Sequence, residues 1–324
     1  MRVLITGAAG MIGAKLAASI LQSGDLGGNP VSHLDLVDIV APAVIGNNAI
    51  TVTNQQADLS NAGAITRLID QRPDVVVHLA AMPSGGAERE FETGYAINLT
   101  GMRALVEAIR LQGLRAPYCP RVIFSSSIAV FGGPFPDKIG DDFLTMPLTS
   151  YGAQKVMGEM LLCDYSRRGF LDGIALRLPT ICIRPGAPNK AASGFFSNIL
   201  REPLVGKAAN LPVSPDVRHW FASPRSSVGF IHHAGALDLS RLGPRRALNM
   251  PGLCATVQEE IEALERVAGK DATKRITRIP EPEIATIVDG WAQDFETTRA
   301  NALGFTADAS FDDIIHAHIE DELG

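Results

Sequence analysis

The sequence is short of the features that mark several protein classes. Only four of its 324 residues are cysteines, Cys119, Cys163, Cys182 and Cys254, and no two form a CxxC pair. That spacing argues against a zinc site or a redox dithiol and predicts reduced, partly buried thiols of the cytosolic kind. No apolar run reaches the roughly 18 residues that a membrane span needs. Lys and Arg, 29 against 35 Asp and Glu for a net charge of -6, form no cluster dense enough to follow a phosphate backbone. Neither a nucleic acid nor a membrane is therefore an expected partner. The opening MRVLITGAAGMIG lacks the longer apolar stretch and cleavage site of a secretory signal, so a cytoplasmic protein is expected. His232-His233 and His316-x-His318 are too poorly converging to hold a metal, the first pair pointing to opposite faces of an expected strand and the second diverging on a helix.

What the chain does have is 46% hydrophobic residues, enough for a full-sized core. Arg2–Thr6 reads as a strand, glycines follow, and Met11–Ser23 has apolar residues at helical spacing, closed by Gly24. Further nearly unbroken apolar runs at 33–40, 74–80 and 121–125 read as strands covered on both faces. Helical stretches at 62–71 and 98–112 lie between them. This alternation predicts an α/β fold, a doubly wound parallel sheet of the Rossmann kind. Regularity fades near Pro179, and 184–224 is rich in Pro, Gly, Asn and Ser. The expected organisation is a dinucleotide-binding domain over 1–180, completed by parts of 226–250, and a smaller, interleaved substrate lobe over 181–324. The segment 311–323 reads as an acidic closing helix.

Gly7, Gly10 and Gly13 stand between the first strand and the first helix. In that place glycines serve a tight turn, a close backbone approach to a pyrophosphate, and helix-on-strand packing, while the helix N-terminus supplies N–H groups and positive dipole. Asp38 closes the second strand where a carboxylate accepts the adenosine ribose hydroxyls, and no Lys or Arg follows it. That favours NAD over NADP. Asp35 is the nearby alternative, inside the strand. Asp58 in QADLS suits either the adenine amino group or a helix cap.

Tyr151 and Lys155 are spaced to share one helix face. A free tyrosine has a pKa of about 10, so acid–base work near neutrality requires that value to fall, and a neighbouring ammonium stabilises the phenolate. Upstream, Ser125, Ser126 and Ser127 close a strand at the carboxyl end, where open parallel sheets bind their ligands. Asn98 opens a helix, either as a cap or as part of a proton relay.

In order and spacing, TGAAGMIG, ADLS, HLAA, NLTG, FSSSIAVFG and YGAQK resemble the extended short-chain dehydrogenase/reductase family over the first 185 residues or so. The resemblance implies Tyr151 as acid/base, Lys155 as its helper and ribose ligand, and Ser127 or, one position off, Ser126 as the residue that orients the substrate oxygen. It implies cofactor contacts from Gly7, Gly10, Met11, Ile12, Gly13, Asp38, Asp58, Leu59, Leu79, Ala80, Ala81, Asn98, Tyr151, Lys155 and Pro179, and a homodimer built on the helices that start near Asn98 and Tyr151. Members acting on sugar nucleotides carry an Arg-Asp-aromatic stretch, where this chain has Arg218-His219-Trp220. The whole chain, including LRLPTICIRPGAPNKAASGFFSN, is more similar to members that oxidise a small four-carbon sugar acid with NAD. The expected substrate is thus a small sugar acid, less readily an NDP-sugar, and its ligands are sought among Ser84, Ser126, Ser127, Tyr151, Thr180, Arg184, Lys190 and Arg225. The rivals are an epimerase or dehydratase that retains its NAD and, from another class, a non-enzymatic NAD sensor.

Overall fold

The computed structural model describes residues 1–43, 49–186 and 192–324. The chain divides into two units, the first made of Met1–Val130, Pro147–Arg177 and Val228–Leu248, the second of Phe131–Met146, Leu178–Ser227 and Asn249–Gly324. The segment 228–248 belongs to the first unit. The excursion of Phe131–Met146 into the second is new, and long-range contacts within that unit account for it: Ile139 bridges Phe295, and Asp141 accepts the Arg299 backbone N–H at 3.0 Å.

The central sheet has seven strands: β1 (Arg2–Thr6), β2 (His33–Asp38), β3 (Thr51–Gln56), β4 (Val75–His78), β5 (Arg121–Ser127), β6 (Asp172–Leu178) and β7 (Ala247–Asn249). Their order is β7-β6-β5-β4-β1-β2-β3. The pairs β1–β2, β1–β4, β2–β3 and β4–β5 are parallel. The order turns outward in both directions from β1 and β4, the switch point at which such sheets bind ligands beyond their carboxyl ends. Residues such as Val3, Leu36, Val76 and Val122 are almost wholly buried, which is why these strands read as apolar runs. The edge strand β3 is mostly polar and, among the described residues, has one neighbour. Its solvent-facing pattern hid it from a search for apolar runs.

Helix α1 (Met11–Ser23) ends on Gly24, whose φ of 81° and N–H to the Ile20 carbonyl form a left-handed cap. Helix α2 (Ala62–Ile69) is capped by the Asn61 side chain. Asn98 does not open a helix. It lies within a π-helical turn, Ala96–Thr100, preceded by the short helix Phe91–Tyr95 and followed by α3 (Gly101–Arg115). Helix α4 (Ser150–Arg167) starts at Thr149, whose hydroxyl accepts the Gly152 N–H. His232 and His233 are on the helix Pro224–Ala236, not on a strand as the sequence suggested.

In the second unit the strands Thr180–Ile181, Arg218–Ala222 and Leu253–Thr256 form a three-stranded sheet. Its core gathers Phe195, Phe196, Phe221, Phe311 and aliphatic residues of the helices Gly194–Leu204 and Val257–Ala268. The closing segment is the helix Phe311–His318 followed by a π turn, Ile319–Leu323.

Candidate active site

The glycine turn is built to bring backbone close to a ligand. Gly7 has a φ of 77°, and a Cβ there would stand 2.6 Å from the Ala80 nitrogen. At Gly13 a Cβ would overlap the Gly7 carbonyl, so only glycine lets α1 start this near β1. Gly10 gives α1 no side-chain cap, and the first turn carries no acidic residue, which leaves the N–H groups of Met11, Ile12 and Gly13 to an anion. Asp38 reaches across from β2: one carboxylate oxygen accepts the Ala9 N–H at 2.9 Å and the other the Ile39 N–H at 2.6 Å. Asp35 is engaged elsewhere, in a two-point pair with Arg2 at 2.6 and 2.9 Å. Asp58 is exposed and accepts the Ser60 N–H at 2.8 Å, and the neighbouring Leu59 is buried. Leu79 donates its N–H to the Thr6 carbonyl, which lays Leu79, Ala80 and Ala81 along the carboxyl end of β1. A bare helix N-terminus, a turn with no room for side chains and a strand-end carboxylate together fit a dinucleotide with free ribose hydroxyls.

Asn98 clamps the loop that leaves this region. Its carbonyl accepts the Met82 N–H at 2.7 Å, and its amide donates to the Met82 carbonyl at 3.1 Å and to Gln154 Oε1 at 2.6 Å. Gln154 lies between Tyr151 and Lys155 and is wholly buried, so the helix bearing those two residues is tied to the loop bearing Ala80 and Ala81. Ser84 is exposed at the start of the helix Ser84–Arg89, two residues past Met82.

Lys155 is 2% exposed. Its Nζ donates to the Ser125 carbonyl at 2.6 Å and stands 4.7 Å from the centre of the Phe124 ring and 5.5 Å from that of Tyr151. Burial pushes its pKa down from 10.5 to about 7, against the pull of the Glu159 carboxylate. His78 is buried behind it, with its Nδ1 2.7 Å from Thr6 Oγ1. Burial, with the Lys155 charge adding to it, lowers that imidazole to about 3, so it is neutral.

The three serines have different jobs. Ser125 donates to the His78 carbonyl at 3.2 Å. Ser126, 2% exposed, donates to Glu159 Oε1 at 2.5 Å, and Glu159 in turn forms a buried pair with Arg177 at 2.8 and 2.9 Å. Ser127 is half-buried, and among the described residues its hydroxyl accepts a local Ala129 N–H at 3.1 Å. Glu159, Arg177 and Gln154 were missed in the sequence. Glu159, four residues past Lys155 on the same helix face, was the one with a readable signal.

Among the second-unit residues, Pro179 is buried, and Thr180 Oγ1 lies 2.7 Å from His219 Nε2. Arg184 donates its Nε to the Ile181 carbonyl at 3.1 Å, while its backbone N–H goes to Ser197. Arg225 is a correction to the sequence expectation. Its guanidinium binds Glu320 at 2.8 Å and Asp321 at 2.5 and 2.9 Å, because the acidic turn Ile319–Leu323 supplies carboxylates of the chain's own. Lys190 lies outside the described residues. His232 has both ring nitrogens engaged, with Ser19 Oγ at 3.0 Å and the Gly27 N–H at 3.2 Å, and no group of metal-ligating side chains occurs among the described residues. Among them, no helix is long and apolar enough to cross a membrane.

A parallel sheet with this glycine turn, and a helix presenting Tyr151 and Lys155 beside a strand-end serine, define an extended short-chain dehydrogenase/reductase. The sequence profile of the NAD dependent epimerase/dehydratase family matches residues 3–220; the chain belongs to that family, and its cofactor is NAD. It is 47% identical to the D-erythronate dehydrogenase of Cupriavidus necator, over 99% of this chain and 98% of that protein. It is 39% identical to the D-erythronate dehydrogenase of Haemophilus influenzae over 100% of both chains. The crystal structure of a protein described as the nucleoside-diphosphate-sugar epimerase from Agrobacterium tumefaciens superposes with a TM-score of 0.98 at 56% identity, covering 100% of this chain and 95% of that one.

Proposed function

We propose that this protein is an NAD-dependent dehydrogenase that oxidises a secondary hydroxyl next to the carboxylate of a small sugar acid, with D-erythronate the first substrate to test. The supporting observation is the buried Lys155, held by the Ser125 carbonyl 5.5 Å from the centre of the Tyr151 ring, at the end of the strand that also carries Ser127. NAD, when bound, supplies the hydride acceptor. Tyr151 takes the proton of the substrate hydroxyl at its phenolate oxygen as the C–H pair leaves, so one alcohol becomes one carbonyl, with one hydride and one proton removed. Lys155 stabilises the phenolate by opposite charge and holds ribose hydroxyls, and Ser127 donates a hydrogen bond to the developing carbonyl oxygen. Ser126 is left to brace Glu159. Ser84, Thr180 and Arg184 are the proposed substrate contacts, with Arg184 the ligand for the carboxylate. The names of the two full-length relatives support the substrate class.

A second reading, a sugar-nucleotide epimerase, draws on the description of the Agrobacterium structure. In this chain the buried His219, already bonded to Thr180, stands where the sugar-nucleotide members carry aspartate, which favours the first reading. Purified protein given NAD and D-erythronate produces NADH with each turnover if the dehydrogenase reading holds. Tightly held cofactor, no net NADH, and interconversion of an NDP-sugar would replace it with the second. We further propose that the protein works in the cytoplasm as a homodimer. In support, its four cysteines are free, and Leu111, Leu114 and Met160 are exposed on α3 and α4, the two helices that would pair. A monomeric mass in solution at micromolar concentration would reject the dimer.

A further inference from the structure

His219 is a histidine that the second unit keeps buried and neutral inside an aromatic cage. It is 2% exposed. Its ring lies parallel to Phe196, at 5.1 Å and 3°, meets Phe221 edge-on at 5.4 Å, and has Trp291 at 5.4 Å. Burial lowers its pKa from 6.5 to about 3, with the Ala292 backbone opposing the shift and the Arg184 charge adding to it. A neutral imidazole offers a carboxylate no ion pair. A phenyl ring would fill the same cage at a smaller desolvation cost. What the imidazole adds is the 2.7 Å bond from Nε2 to Thr180 Oγ1.

Thr180 is half-buried and begins the strand paired with Arg218–Ala222, in register Phe221 with Thr180. It comes two residues after the carboxyl end of β6, the end of a parallel strand at which ligand contacts gather. A lone threonine hydroxyl rotates freely, but the bond to a caged ring fixes where its remaining donor or lone pairs point. A fixed hydroxyl discriminates strongly, because a ligand without the matching group leaves it unpaired.

We propose that His219 is a positioning residue that fixes the Thr180 hydroxyl as the reader of a substrate hydroxyl other than the one oxidised. The pair thereby selects polyhydroxy acids over their deoxy analogues. This inference rests on the dehydrogenase reading above and names the part of the substrate that reading leaves undetermined.

The test compares D-erythronate with its 3-deoxy and 4-deoxy acids, using wild type, Thr180→Val, His219→Phe, His219→Gln and the Thr180→Val/His219→Phe double variant. Thr180→Val and His219→Phe are each expected to lower kcat/KM for D-erythronate about 3- to 10-fold, through KM rather than kcat. The double variant should lose no more than either single one, and His219→Gln, which keeps a hydrogen-bonding group, should recover most of the loss. With one of the deoxy acids, the wild type should show a similar penalty and the variants no further loss. Equal losses on all three acids, or additive losses in the double variant, would overturn the role of the pair while leaving the dehydrogenase reading intact. Wild-type protein inert toward D-erythronate and its analogues would overturn both. Thr180→Val and His219→Gln carry the test should His219→Phe fail to fold.

Discussion

Glu159 lies one helical turn beyond Lys155, and both are buried, yet the carboxylate gives its oxygens to Arg177 and Ser126 while the ammonium is held by the Ser125 carbonyl. The lysine thus has a negative field nearby and, among the described residues, no ion pair that would pin it. Its Nζ is held near the carboxyl end of β5 by the Ser125 carbonyl, 5.5 Å from the centre of the Tyr151 ring. The Glu159–Arg177 pair fixes helix to sheet at the same level.

This arrangement makes Lys155 costly to the fold. With its pKa lowered from 10.5 to about 7, the folded state must desolvate a charge below pH 7, and that cost fades as pH rises from 7 towards 10.5, where the unfolded chain also gives up the proton. Lys155→Met is therefore expected to be inactive and more stable than the wild type at pH 6, by on the order of a few kcal/mol. The advantage should shrink towards pH 10. Urea unfolding of both proteins at the two pH values checks this, and a stability difference that does not change with pH would contradict it.

The serines divide activity from stability. Ser127→Ala should lower kcat by about 10- to 100-fold with little change in unfolding free energy, because the hydroxyl makes only a local bond to the Ala129 N–H. Ser126→Ala removes a buried donor to Glu159 and should destabilise by about 1–3 kcal/mol while keeping most of kcat. Steady-state rates and denaturation curves of the two variants separate these outcomes.

Much of the fold of the first unit was legible because its signals are local. An apolar run, three glycines and a helix that ends on Gly24 are neighbours in sequence, and Asp38 is found by following one strand to its end. The polar edge strand β3 gave no apolar signal. Asn98 was read as a helix opening because a π turn continues a helix without any capping residue to announce it. The second unit was the least legible, since its bonds join distant residues: Thr180 with His219, Arg225 with Asp321, Asp141 with Arg299. Spacing along the chain says nothing about such partners. Arg225 shows the consequence, a basic residue in the right region whose charge was already taken.

A buried carboxylate in the second unit predicts the opposite pH dependence to Lys155. Neither oxygen of Glu260 has a hydrogen-bond partner among the described residues, and burial raises its pKa well above 4.5. The folded state keeps the proton that the unfolded chain releases above pH 4.5, so this site lowers stability progressively as pH rises from there. Glu260→Leu should therefore be more stable than the wild type at pH 8, with a smaller gain at pH 5. Thermal unfolding at the two pH values measures it. A variant less stable than the wild type at both would show that the carboxyl is satisfied in a way this account lacks.

The central claim is that the Tyr151 oxygen carries the proton of the oxidised alcohol. Rapid-mixing measurement of NADH formation by Tyr151→Phe, with saturating NAD and D-erythronate, tests it most directly. The account predicts a first-turnover rate at least about 100-fold below the wild type, with NAD affinity largely kept. A variant forming NADH at the wild-type rate would contradict it.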